Sequence, residues 1–258
     1  MGPSRPRRAP LNHNVLLTLM YAPMLSMYSS LLAQMPLAAY IDLITKDSNL
    51  SVGLATGAQG VVSLLVAIPA SVLADRFGRQ VCLRAAAVVA ALAAAYMGVC
   101  VLYLDGLVDD TTLFYLLVAS SAQWGVFMGL HAAPLEALFG DSIESGARSL
   151  LCAARAILRG AIRRNFLNRA LRPRRYVRRS SLRTLGNALG PLVSICIFLN
   201  QGDDWDRDEL KWVLCAGIGA SLLPASVLFF FKDEKAIGAS AEALHRRDWG
   251  VGAAAGES

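Results

Sequence analysis

The chain has 258 residues, of which 55% are hydrophobic and only 17% are charged, and its formal net charge is +6. A soluble domain of this length spreads charge along the outer face of every helix. Here the charges are gathered into a few clusters that leave six long segments almost without them, which argues against a soluble domain and predicts a polytopic membrane protein.

Six segments are long and apolar enough to cross a bilayer as helices, because about 20 residues at ~1.5 Å per residue cover ~30 Å of hydrocarbon. The predicted spans are 15–41, 52–74, 85–104, 113–139, 184–199 and 210–231, of which the fifth is the shortest. The predicted organisation is a tail (1–14), four spans (15–147), an arginine-rich loop (148–183), two spans (184–231) and a second tail (232–258).

The basic residues lie almost entirely on one side of these spans. Of the 25 lysines and arginines, all except Lys46, Arg207 and Lys211 fall in the tails and loops that alternating spans place together with the N-terminus. Because cytoplasmic loops carry an excess of basic residues, both termini are predicted to be cytoplasmic. The same bias accounts for the pI of about 9.3 without a nucleic-acid partner.

The turn between the second and third predicted spans carries a recognisable motif. Residues 71–80 read Ser-Val-Leu-Ala-Asp-Arg-Phe-Gly-Arg-Gln. They resemble the loop between helices 2 and 3 of major facilitator superfamily transporters, Gly-x-Leu-Ala-Asp-Arg-x-Gly-Arg-Arg/Lys. Asp75, Arg76, Gly78 and Arg79 match, whereas the first position is serine instead of glycine and the last is glutamine instead of a base.

The resemblance implies an all-α fold with six transmembrane helices, equivalent to the N-terminal half of a facilitator. It also implies that Asp75 latches the inner side shut, that Arg76 and Arg79 are its partners, and that Gly78 permits the turn. A complete facilitator has two such halves around a central pathway. The chain is therefore expected to be a fragment lacking a C-terminal half, with a parallel homodimer as the alternative.

The fifth predicted span opens with Gly186-Asn-Ala-Leu-Gly190-Pro191. This stretch resembles the Gly-x-x-x-Gly-Pro motif in the fifth helix of the same superfamily, which implies a kinked and closely packed helix. The family's antiporter version continues to a pair of glycines that is absent here, so the resemblance does not extend to antiport.

Polar side chains inside a bilayer are costly and therefore mark candidate solute pathways. Within the predicted spans they are Gln34, Gln59, Gln123 and His131, while Glu136 lies nearer the surface, where a loop arginine is its expected partner. His131 lies about 12 Å inside its span by helical rise. An imidazole takes and releases a proton near neutral pH, so His131 is the candidate for proton coupling; a hydrogen-bonded packing histidine is the alternative.

The loop between the fourth and fifth spans is dense in arginine. Arg155, Arg159, Arg163 and Arg164 are interleaved with apolar residues at helical spacing. This pattern predicts a cationic amphipathic helix on the anionic inner leaflet, where each base contributes about 1 kcal/mol. The alternatives are a solvated anchor without a specific partner, and binding of calmodulin or nucleic acid; the predicted partner is lipid.

The sequence contains no nucleophile elbow, Walker loop or zinc motif, and its five cysteines show no paired spacing. It therefore predicts a protein that is not an enzyme and needs no metal or cofactor. The predicted function is secondary transport of a small solute by alternating access, performed by an incomplete (half) facilitator. The alternative is a membrane protein that does not transport and instead binds anionic lipid or a partner through the arginine-rich loop.

Overall fold

The computed structural model describes residues 12–46, 48–142, 174–201 and 206–236. Within these ranges the chain is all-helical, apart from an isolated bridge between Asp105 and Val108. The α-helices are α1 (His13–Tyr28), α2 (Met35–Ile44), α3 (Asn49–Phe77), α4 (Arg79–Val99), α5 (Asp110–Asp141), α6 (Arg174–Gln201) and α7 (Arg207–Leu228). The predicted all-α fold class is confirmed.

The membrane-spanning segments follow the predicted order. Five helical segments are long and apolar enough to cross a membrane: His13–Ile44, Asn49–Phe77, Arg79–Leu104, Asp110–Asp141 and Arg207–Leu228. Within α6 lies a shorter apolar helix, Leu185–Asn200, which corresponds to the predicted fifth and shortest span. The described chain thus matches part of a facilitator half.

Several helices extend beyond the apolar segments that predicted them. The fifth span was predicted from residue 184, whereas α6 begins at Arg174. Likewise α3 continues to Phe77 and α4 begins at Arg79. Arginine is a good helix former, so a helix can continue into a charged surface region where hydropathy no longer marks it.

The first span is interrupted, which its hydropathy does not reveal. A π-helical turn, Ser29–Ala33, follows α1, and Gln34 then adopts φ −94° and ψ −106° before α2 begins. Pro36 lies in the first turn of α2. Because proline has no N–H to donate to the carbonyl four residues earlier, one hydrogen bond is missing here, and the π-helical turn and the conformation of Gln34 interrupt the regular ladder.

The helices α3 and α5 approach so closely that only glycine fits at two positions between them. A Cβ atom on Gly125 of α5 would lie 2.5 Å from the carbonyl oxygen of Gln59, and one on Gly129 would lie 2.7 Å from that of Ser63. The backbones of α3 and α5 therefore touch, as small residues allow in membranes. This contact places Gln59 and Ser63 of α3 directly beside α5.

Candidate functional site

The helices α3 and α4 reverse direction at a single residue. α3 ends at Phe77, Gly78 has φ +94° and ψ 147°, and α4 begins at Arg79. The Gly78 N–H donates to the carbonyl oxygen of Ala74 at 3.1 Å. A positive φ of this size is strained for residues with a Cβ, so glycine suits this position. We refer to this end of the bundle as the turn end.

The arginines of the turn do not share one partner. Arg79 pairs with Asp141, the last residue of α5. Asp75 and Arg76 are exposed and form no ion pair with another residue of the described ranges. The motif implied Arg79 as a partner of Asp75, but in the structure Arg79 instead joins the turn to α5.

The segment that follows α7 closes the same end. Both carboxylate oxygens of Asp233 accept from the backbone N–H of Gln80, at 3.1 and 3.0 Å. The N–H of Asp233 in turn donates to Oε1 of Gln80 at 3.4 Å. Asp233 also lies so close that a Cβ on Gly78 would be 2.9 Å from Oδ2. A carboxylate therefore caps the first turn of α4, where unsatisfied N–H groups attract negative charge.

A buried asparagine at the start of α1 completes these contacts. Asn14 Nδ2 donates to the carbonyl oxygen of Lys232 at 2.8 Å and to Ser142 Oγ at 3.3 Å, and its Oδ1 accepts from the Lys232 N–H at 3.3 Å. Asn12 Nδ2 donates to the carbonyl oxygen of Lys235 at 2.7 Å. The turn end thus joins α1, α4, α5 and the segment after α7 into one hydrogen-bonded network.

We expect Asp233→Ala to destabilise the folded chain by about 1 kcal/mol, because α4 loses the acceptor at its positive end. The matched control is Glu234→Ala, which removes an exposed neighbouring carboxylate. The measurement is the apparent unfolding temperature of the purified chain in nanodiscs. Equal shifts for the two variants would contradict a capping role for Asp233.

A cavity of about 400 Å³, lined by both apolar and polar side chains, lies between α1, α3 and α5. It is lined by Tyr21, Ala22, Leu25, Ser63, Met128, His131, Ala132, Leu135 and Glu136. The five α5 residues recur at three- and four-residue spacing and so share one face of that helix. His131, only 4% exposed, lies about ten residues from the end of α5, which places it ~15 Å inside by helical rise.

The His131 ring is fixed on three sides. Its Nδ1 lies 2.8 Å from the carbonyl oxygen of Phe127, and its ring stacks on that of Phe127 with centroids 4.4 Å apart and an interplanar angle of 19°. The ring of Tyr21 meets it edge-on at 5.7 Å. These contacts join α1 to α5 through aromatic surfaces and leave the histidine at the cavity wall.

The opposite end of the bundle contains a buried carboxylate. The Asp105 side chain, only 2% exposed, follows the π-helical turn after α4. Lys211 Nζ lies 2.7 Å from Oδ2, and Arg207 pairs with Oδ1 and also with Asp110, at 3.0 Å. Burial alone would raise the pKa of the Asp105 carboxyl, but hydrogen bonds from Lys211, Tyr40 and Arg207 outweigh it and lower that pKa.

A comparison with known protein families identifies the family to which the chain belongs. The family model described as "Sugar (and other) transporter" matches residues 8–155, more than half of the chain. The chain belongs to this family. As a sugar (and other) transporter it is a multi-pass membrane protein of the major facilitator superfamily, which confirms the resemblance carried by the turn at 71–80. No curated protein and no solved structure matches the chain.

In this transporter the glutamines predicted for the pathway are separate from the histidine. Gln34 and Gln59 meet at a crevice of only about 20 Å³ beside Ser121. Gln123 lines neither this crevice nor the larger cavity, and its buried Oε1 has no hydrogen-bond partner among the described residues. The structure therefore groups His131 with Glu136 and leaves the glutamines apart.

Two polar residues of the cavity, Tyr21 and Ser63, were not predicted from the sequence. Tyrosine and serine are common in membrane helices, so neither is conspicuous on its own. The detectable signal is that Ser63 lies four residues after Gln59, on the α3 face that contacts the glycines of α5.

The predicted helix-5 motif lies where α6 meets α1. A Cβ on Gly186 would collide with the backbone of Pro23, and one on Gly190 with the side chain of Ser30. Pro191 lies inside α6, which continues through it to Gln201. The two glycines therefore serve close packing of α6 against the first span.

Two further features lie outside the candidate site. A larger groove, about 580 Å³, runs between α6 and α7, and its lining is apolar except for Asn200 and two cysteines. The predicted lipid-contacting residues Arg155, Arg159, Arg163 and Arg164 lie outside the described residues. Within the described ranges no cluster of side chains could hold a metal ion.

Proposed function

We propose that the chain moves a small uncharged polar solute of the sugar class across a membrane by alternating access. The cavity between α1, α3 and α5 forms its share of the solute path. Family membership supports solute transport and favours a transporter over an enzyme. Both termini are assigned to the cytoplasm by the distribution of basic residues.

One observation carries the proposal: the cavity, which has four polar side chains in its lining, lies within the helices that the family model matches. That match, 8–155, includes α1, α3 and α5, which supply the described residues of the lining. The cavity volume of about 400 Å³ falls in the range of small-molecule sites, roughly 300–1,000 Å³.

The chemistry of the lining favours an uncharged, hydroxyl-rich solute. Ser63, Tyr21, His131 and Glu136 offer both donors and acceptors, as a polyol requires. Among the described residues that line the cavity there is no lysine or arginine, so this part of the lining favours neither a phosphate nor a carboxylate ligand.

The turn end provides contacts that a conformational cycle can break and remake. Arg79 and Asp141 join α4 to α5, and by resemblance the exposed Asp75 is the acid that latches against the other half of a facilitator. The exposure of the Asp75 side chain is consistent with a latch partner that lies outside the described helices. Gly78 supplies the reversal that presents Asp75 and Arg79 at the same surface.

The test is binding and counterflow of labelled hexoses, pentoses and polyols with the full chain in liposomes. Ala132→Phe fills the cavity from a lining position, whereas Ala133→Phe places the same side chain on an exposed neighbouring residue outside it. We expect Ala132→Phe to weaken binding more than about tenfold, ~1.4 kcal/mol, and Ala133→Phe to leave it unchanged.

Two results would overturn the proposal. One is that none of these solutes binds to or exchanges through the wild-type chain. The other is that the two phenylalanine variants behave alike. If the chain instead binds liposomes in proportion to their anionic lipid and shows no solute exchange, the alternative of a lipid-binding protein that does not transport replaces this one.

A further inference from the structure

We propose that the groove between α6 and α7 binds one acyl chain of a zwitterionic phospholipid, whose ammonium headgroup lies at the end of the bundle opposite the turn. This lipid site is separate from the solute cavity and does not depend on the proposed function. Three features support it: the packing that creates the groove, its depth in the bilayer, and the charge of its rim.

The groove exists because α6 and α7 both pack closely on the first span and much less closely on each other. The π-helical turn of that span, Ser29–Ala33, meets each helix at a glycine. A Cβ on Gly190 of α6 would lie 2.7 Å from Cβ of Ser30, and a Cβ on Gly217 of α7 would lie 2.9 Å from Cβ of Leu32. These contacts fix both walls to the first span and leave a groove of about 580 Å³ between them.

The groove has the depth of one leaflet. On α6 its lining runs from Leu189 to Asn200, eleven residues apart, which is ~16 Å by helical rise. Half of a hydrocarbon layer of ~30 Å is ~15 Å. Asn200 is next to the last residue of α6, and Trp212 lies in the second turn of α7, so both are near the membrane surface opposite the turn. The groove therefore fits one acyl chain of that leaflet.

The walls of the groove are apolar and open to the side. Leu192 and Trp212 both line it and are 56% and 58% exposed. Exposed apolar side chains of membrane-spanning helices face hydrocarbon, so lipid is the available occupant. A chain lying in the groove touches two helices instead of one. It therefore makes more van der Waals contacts than a lipid on a flat part of the surface.

The rim of the groove favours an ammonium group over an anionic one. The two bases at this end, Arg207 and Lys211, both pair with the buried Asp105, and Lys211 also pairs with Asp208. Residues 202–211 contain five acids against these two bases: Asp203, Asp204, Asp206, Asp208 and Glu209. The excess of acid repels an anionic headgroup and attracts a cationic group.

Trp212 and Asn200 are placed to meet the headgroup. Tryptophan is enriched at membrane surfaces, where its ring face attracts an ammonium group and its N–H can donate to a phosphate or ester oxygen. Asn200 Nδ2 donates to the carbonyl oxygen of Cys196 at 2.9 Å. The amide oxygen of Asn200 is a further acceptor beside the rim. Together these groups suit a headgroup that carries a cation and a phosphate.

The test uses the full chain in nanodiscs of phosphatidylcholine and phosphatidylglycerol in equal amounts with identical acyl chains. Native mass spectrometry after release counts the retained lipids, and we expect one phosphatidylcholine on the wild type. Cys196→Phe and Ala216→Phe fill the groove from opposite walls, and each should reduce its retention at least about tenfold. The matched control is Ala188→Phe, at an exposed residue of α6 outside the described lining, which should retain the lipid.

Trp212→Leu tests the headgroup separately from the acyl chain. It keeps an apolar wall but removes the ring face, so the preference for phosphatidylcholine over phosphatidylglycerol should fall about threefold. Anionic lipid held by the arginine-rich loop does not disturb the comparison, because only lipid lost from the groove-filling variants is assigned to the groove.

Four results would overturn the proposal. The wild type retains no phosphatidylcholine, or both groove-filling variants retain as much as Ala188→Phe. The variants lose phosphatidylglycerol as readily as phosphatidylcholine, or the wild type is released as a dimer without lipid, which would assign the groove to a second copy of the chain. Should both groove-filling variants misfold by circular dichroism, retention by the wild type and the headgroup preference of Trp212→Leu still decide: an unchanged preference would contradict the proposed site.

Discussion

Gly129→Ala is expected to lower the free energy of unfolding by about 1–3 kcal/mol, since it forces apart two helices whose backbones are in contact. The new Cβ would lie 2.7 Å from the carbonyl oxygen of Ser63 and 2.8 Å from Cβ of Val66, both atoms of α3. Neither atom belongs to the flexible end of a side chain, so the α3 backbone itself must move. Because Ser63 lines the cavity, the same shift is expected to weaken solute binding.

The matched control is Gly57→Ala on α3, where a new Cβ would have no neighbour within 4 Å. Alanine is the better helix former by up to about 1 kcal/mol, so this variant should be as stable as the wild type or slightly more stable. Unfolding of both variants in mixed micelles, followed by circular dichroism during denaturant titration, gives the comparison. A Gly129 variant as stable as the Gly57 variant would show that α3 and α5 are not in direct contact.

Hydropathy predicted the fold well because a bilayer imposes length and composition on whatever crosses it. It identified the order of the spans and the weaker fifth one, since Leu185–Asn200 is apolar but short. It missed the break at Gln34, because a π-helical turn leaves the apolar character of the span unchanged. It also missed the start of α6 at Arg174, because charge at the membrane surface does not end a helix.

The candidate site was less predictable because its residues are far apart in the sequence and come into contact only in the folded chain. The motif at 71–80 marked Arg79 as functional, but its partner Asp141 lies 62 residues away. Asp233, which caps α4, is 153 residues from Gln80 and belongs to no recognisable pattern. His131 stood out because a titratable group in hydrocarbon is costly. Tyr21 and Ser63 carry no such signal.

The second prediction concerns the buried carboxylate of Asp105, at the end of the bundle opposite the turn, and the stability that its ion pairs provide. Asp105 is only 2% exposed, whereas its partners Arg207 and Lys211 are 34% and 26% exposed. Removing both bases leaves a buried charge with no cation beside it, which costs about 3–5 kcal/mol. Asp105→Asn leaves two bases that can reach water and the neighbouring carboxylates, so its cost is smaller, about 1–3 kcal/mol.

We therefore expect the double variant Arg207→Met, Lys211→Met to have the lowest free energy of unfolding. Adding Asp105→Asn to this double variant should restore part of the lost stability. Recovery in the triple variant is the decisive result, because replacing a whole buried ion cluster is far less costly than leaving half of it. Asp208→Asn serves as the control, since that side chain is 88% exposed and its pair with Lys211 contributes little. A triple variant less stable than the double one would contradict this account.

Acid unfolding gives an independent measure of the same carboxylate. The pKa of the Asp105 carboxyl is lowered in the folded chain, so the folded state binds this proton less readily than the unfolded state does. Its contribution to stability is therefore complete above the ordinary aspartate pKa of about 3.9 and is lost as the pH falls toward the folded value. The unfolding temperature of the wild type should fall across this acidic window, and that of Asp105→Asn should fall less steeply. Because Arg207 and Lys211 stay charged throughout, any difference between the two slopes reports on Asp105 and its partners.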